Sequence, residues 1–88
     1  MMRDKERERR IRAAILEELT NTPRGYMQTQ RSLLASVGLS LVPPPSEVEY
    51  DEALARLEAD CFIHCEISAL GEKRWCVTSL GRAAFNDR

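Results

Sequence analysis

At residue 62 the spacing of apolar residues in this chain changes period. Up to Cys61 they recur every three or four positions, as on one face of a helix. From Phe62 to Ser68 they alternate: Ile63, Cys65 and Ile67 fall on one side, and His64, Glu66 and Ser68 on the other. After a break at Ala69–Lys73 that contains Gly71, Arg74–Val77 returns with Trp75 and Val77 sharing a face. The pattern predicts an antiparallel hairpin with a loop of about five residues. A chain of 88 residues, 43% hydrophobic and 31% charged, has room for one core. The hairpin must therefore pack on the helices that precede it. The expected class is mainly α with a small antiparallel hairpin (α+β), as a single domain over 1–88.

The helices have readable ends. Residues 4–20 lack Gly and Pro and place Ile11, Ala14, Ile15 and Leu19 on one stripe, widened by Leu16. The stripe stops before Ile11, which predicts a charged extension over residues 1–10, projecting into solvent or packing on something else. Asn21 and Pro23 end this helix. Tyr26 and Met27 suit a very short strand. Thr29 caps a second helix over 30–37, with Leu33, Leu34 and Val37 inward and Gly38 as its stop. Pro43, Pro44 and Pro45 then form a stiff extended connection. Ser46 and Glu49 make a capping box for a third helix with Tyr50, Leu54, Leu57 and Cys61 on its buried face. Thr78 or Ser79 caps a closing helix to about Asn86, offering Leu80, Ala83, Ala84 and Phe85 to the core.

This order resembles a winged helix-turn-helix: three helices, the hairpin as the wing, then a short C-terminal helix. Two stretches carry the resemblance. DEALARLEADCFI (51–63) is similar to the end of a winged-helix recognition helix running into the wing. RWCVTSLGRAAF (74–85) is similar to the wing's return strand passing through a Thr-x-x-Gly-Arg turn, as in many bacterial regulators. The topology covers about 75 residues and the motifs about 25. Cys61 stands where Gly is usual before the wing, and the connection between helices 2 and 3 is longer than a tight turn. The resemblance implies a bacterial or phage DNA-binding regulator, with helix 3 in the major groove and the wing on the phosphate backbone.

The charges leave two functions open. Net charge is −1, from 13 basic and 14 acidic residues, but the signs are segregated. Residues 1–12 carry a local +3, residues 47–66 a local −6, and residues 67–88 a local +2. Lys73 and Arg74 at the wing tip, Arg82 in the last helix, Arg56, and Arg7 and Arg10 (with Arg3) on the first helix are the candidates for contact with double-stranded DNA. Opposite the buried stripe, the sequence places Glu49, Glu52, Arg56 and Asp60. Three of these four are acidic, which suits a self-paired ladder or a protein-binding face better than phosphate. The first reading is DNA-binding regulation through the wing and the N-terminal helix. The second is a protein-interaction adaptor that uses Glu49, Glu52 and Asp60 on the acidic face.

A homodimer through the first or last helices fits either reading, with Met1 and Met2 adding adaptable apolar surface. No catalytic residue, cofactor or metal is expected. Cys61, His64, Cys65 and Cys76 have the composition of a zinc set, but His64 and Cys65 are adjacent in a strand and point to opposite faces. The exposed carboxylates are expected to keep ordinary pKa values. An odd cysteine count without a secretory leader predicts a reducing cytoplasm, and no stretch is apolar enough for a membrane span.

Overall fold

The computed structural model describes residues 4–87. The elements run α1 (Lys5–Thr20), β1 (Gln28–Thr29), α2 (Gln30–Ser40), α3 (Glu47–Ala59), β2 (Ile63–Ile67), β3 (Lys73–Val77) and α4 (Ser79–Asn86). Each helix starts at a side-chain cap. Asp4, Thr29, Ser46 and Thr78 each accept a hydrogen bond from a backbone N–H three residues on, satisfying one of the free donors of the first turn. Ser46 and Glu49 complete the expected capping box.

The hairpin is two strands of a three-stranded antiparallel sheet in the order β1-β3-β2. Ile63 pairs with Val77 and Ile67 with Lys73. The third strand lies at Gln28–Thr29, not at the expected Tyr26–Met27, and pairs Gln28 with Trp75 and Thr29 with Arg74. Tyr26 is exposed in the turn before it. The Gln28 amide nitrogen also donates to Glu18 Oε1 and Thr22 Oγ1, which holds β1 against the end of α1.

One core joins all the layers. It contains Ile11, Ile15, Leu16 and Leu19 of α1, Leu33 and Val37 of α2, Tyr50, Ala53, Leu54 and Leu57 of α3, and Ile63 and Trp75 of the sheet. Burying each large aliphatic contributes about 1.5–3 kcal/mol. The Trp75 indole N–H donates to Gln30 Oε1 at 3.0 Å, tying the sheet to the first turn of α2.

Several expectations are corrected. Gly38 does not stop α2, which continues to Ser40. Its lack of a side chain serves packing instead: a Cβ there would meet the Tyr50 hydroxyl at 3.0 Å, and that hydroxyl donates to the Leu34 carbonyl at 2.9 Å. Cys61 is not on the buried stripe. It lies past the end of α3, exposed, with φ of 63°. Ile67 is exposed because β2 runs beyond the core. In α4, Leu80 and Ala83 face solvent, and the buried residue is Gly81. Of the two alternatives for the first turns of α1, packing is the one seen at Arg7 and Glu8, which are half-buried against the rest of the chain. Arg3, Met1 and Met2 lie outside the described residues.

Candidate binding surface on α1 and α3

With about 3.6 residues per turn, the direction opposite the buried Tyr50, Ala53, Leu54 and Leu57 falls on Val48, Glu52, Ala55 and Ala59. All four are exposed. Of the residues expected on that face, only Glu52 stands at its centre. Glu49 and Arg56 form a flank turned toward α1, because α1 packs beside α3 there. Asp60 caps the helix end and holds Arg56, Nε to Oδ2 at 3.2 Å.

Glu49 is held both from α1 and from its own helix cap. Arg7 Nε donates to its Oε2 at 2.7 Å and Arg7 Nη2 to its Oε1 at 3.3 Å. A further bond from Nη2 reaches the Pro43 carbonyl at 2.9 Å. The Ser46 backbone N–H donates to the same carboxylate at 2.9 Å. The Arg7 guanidinium, then the Ser46 amide, hold the Glu49 carboxyl down to about 2, against an ordinary 4.5. The expectation of unshifted carboxylates therefore fails at this position. Arg7 and Glu49 are 42 residues apart, and no local sequence signal links them.

Between α1 and α3 lies a cleft of about 340 Å³. Ile11 and Ala53 form its floor and Val48 its lip. Asp4, Glu8, Glu49 and Glu52 supply four carboxylates to its walls, against Arg12 and Arg56. Lys5, Arg9 and Arg12 recur at i, i+4 and i+7, so they share one side of α1. Of the three, Arg12 lines the cleft, sharing the α1 wall with Asp4 and Glu8, while Glu49, Glu52 and Arg56 line the α3 wall. A second groove, about 560 Å³, runs between the turn after α1 and α4, and its charged lining residues are Arg24 and Arg82.

The candidate DNA contacts are not brought together. Arg7 is spent on Glu49 and Pro43. Arg10 pairs with Glu6 at 3.7 Å, Arg56 with Asp60, and Arg74 with Glu72 at 3.9 Å. Arg82 donates to the Thr20 carbonyl at the end of α1. Lys73 has no ion-pair partner among the described residues, but it starts β3 opposite Ile67 and is not at the loop's apex. Leu70 occupies that loop and is 96% exposed.

His64 lies 3.3 Å from Glu66 on the outer side of β2. Burial, with the Glu66 carboxylate, pushes the Cys76 thiol up, away from the thiolate form that reacts. Among the described residues no three His, Cys, Asp or Glu side chains are placed to hold a metal ion. No helix among them is long and apolar enough to cross a membrane. Comparison with protein-family models, curated proteins and solved structures finds no match to this chain.

Proposed function

We propose that the chain is a winged-helix domain that works by binding and not by catalysis, and that its α3 face binds protein instead of DNA. Support for the architecture comes from the element order with β1 beside β3, the arrangement expected when a wing closes on a three-helix bundle. Cys61 in the left-handed region accounts for the one departure at the start of the wing.

The observation that carries the functional reading is the charge of α3 together with the engagement of the arginines. From Glu47 to Asp60 there are six carboxylates and one arginine. Of the six DNA-contact candidates, Arg7 and Arg56 hydrogen-bond carboxylates and Arg82 a backbone carbonyl of the same chain, while Arg10 and Arg74 lie 3.7 and 3.9 Å from the exposed carboxylates of Glu6 and Glu72. DNA affinity comes mainly from cations that displace counterions at phosphates, and an acidic helix opposes that approach. The rival reading, DNA contact through the wing and N-terminal helix, keeps Lys73 and the exposed Lys5 and Arg9.

Fluorescence anisotropy with a mixed-sequence duplex at about 50 and 200 mM salt decides between them. The expected result is no saturable binding at either salt, in the wild type or in K73E/R74E. Tight binding at low salt that falls steeply at the higher salt, and is lost in K73E/R74E, overturns the proposal in favour of DNA.

A further inference from the structure

We infer that a second copy of this chain docks on the α1–α3 face, with a two-fold axis that sets the basic stripe of each α1 on the acidic α3 of the other copy. This rests on the reading of α3 as a protein-binding face and names its partner.

The face carries both signs side by side. Arg12 lines the α1 side of the cleft together with Asp4 and Glu8, and Lys5 and Arg9 continue its stripe on the same side of the helix; Glu52 lines the α3 side, with Asp51 and Glu58 beyond it. A purely basic partner attracted to α3 would meet the α1 stripe across a helix-to-helix distance of about 8–10 Å, within one Debye length of about 10 Å. A purely acidic partner, nucleic acid included, would meet α3. The surface that complements two adjacent stripes of opposite sign is the same surface turned by a two-fold axis. Each α1 then faces an α3, and both contacts form together.

The shape agrees. Val48, Ala55 and Ala59 are exposed around Glu52 at the centre of the outward α3 face, so Glu52 is the one long side chain a second copy meets there. Val48 is 64% exposed at the cleft's lip. Neither Lys5 nor Arg12 has an ion-pair partner among the described residues, and Arg9 has only the exposed Glu6 at 3.7 Å. The two helices offer a footprint of about 20 by 20 Å per copy. Over both copies that is roughly 800 Å², below the size of stable specific interfaces, and it predicts a weak, salt-sensitive dimer.

Analytical ultracentrifugation of the full chain over a concentration series, at about 50 and 300 mM salt, tests this. The variants K5E/R9E and D51K/E52K change only exposed side chains, and far-UV circular dichroism reports whether each stays folded. The wild type should dimerise, more weakly at the higher salt. Each variant alone should dissociate at least about tenfold more readily. An equimolar mixture of the two should recover the dimer, because reversed α1 then meets reversed α3 while the native pair faces itself. A wild type that stays monomeric throughout, a dimer indifferent to both reversals, or a mixture that does not recover, each overturns the self-docking. Salt-steep duplex binding in the anisotropy experiment would instead remove the reading beneath it, so the two failures are separately visible.

Discussion

The two ends of α3 are held by different kinds of force. At its N-terminus the joint is made of side chains: the Ser46–Glu49 capping box, and Arg7 reaching from α1 to Glu49 and Pro43. At its C-terminus the joint is made of backbone. Phe62 N–H donates to the Leu57 carbonyl and Cys61 N–H to the Glu58 carbonyl, a Schellman closure with Cys61 in the left-handed position. Thr78 then seals the corner. Its N–H donates to the Phe62 carbonyl at 3.0 Å, its hydroxyl donates to the Cys61 carbonyl, and that hydroxyl oxygen accepts from the Gly81 N–H.

The difference sets tolerance. Charged side chains can rearrange, and their attraction depends on pH and salt. Backbone packed on backbone has nowhere to move. The C-terminal joint fixes where the sheet leaves the bundle, while the N-terminal joint adjusts the face we assign to docking.

The largest effect should come from closing the backbone joint. A Cβ at Gly81 would overlap the Phe62 carbonyl oxygen, with the rest of the Phe62 backbone close behind. Gly81→Ala should therefore lose about 3 kcal/mol or more in urea unfolding. A loss under about 1 kcal/mol would show that the corner yields and would break the comparison.

Next comes the opposite change at Cys61. An L-residue in the left-handed region costs about 1–2 kcal/mol, part of which glycine returns as unfolded-state entropy. The Cys61 side chain is exposed. Cys61→Gly should stabilise by about 0.5–1 kcal/mol, a rise of a few degrees in Tm for a chain this size. A lower Tm would mean that the thiol makes a contact the geometry does not supply.

At the other joint, Ser46→Ala removes half of the capping box and should cost about 1 kcal/mol, less than Gly81→Ala, by the same urea measurement.

The smallest effect is the one that sharpens the contrast through pH. The Glu49 carboxyl titrates near 2 in the folded chain, against an ordinary 4.5, so folding favours its ionised form. Its contribution is fully present above pH 4.5 and is lost as pH falls from 4.5 toward 2. Thermal melts of the wild type and Glu49→Gln should differ at pH 7 and converge near pH 2. A gap that persists at pH 2 would show that Glu49 acts by shape and not by charge.

Sequence and structure agree where the information is local. The caps at Thr29 and Ser46 each depend on a residue and an amide three positions on, and both are legible as written. The loop of five residues between β2 and β3 follows from alternation and one glycine. Gly38 reads as a helix stop because a glycine at a helix end and a glycine against another helix look alike in sequence. The Tyr50 hydroxyl that requires it arrives from α3. β1 was displaced by two residues because its register is set by β3, forty-odd positions away. Of the candidate site, the acidity of α3 could be counted from the residues. The direction of its outward face could not, since that depends on which flank α1 covers. Lys5, Arg9 and Arg12 were visible only as part of a charged run. Their side of α1 is set by Arg12, which lines the cleft.

By itself, then, the sequence determined the helices with their caps, the change to strand at residue 62, and the separation of the basic start of α1 from acidic α3, because each is fixed by neighbours along the chain. Tertiary structure alone decided which carboxylate Arg7 would neutralise, which strand would sit at the sheet's centre, and that the basic and acidic helices would lie side by side. Those depend on contacts across tens of residues, where packing of a single shared core sets distance and direction, and no local spacing encodes either.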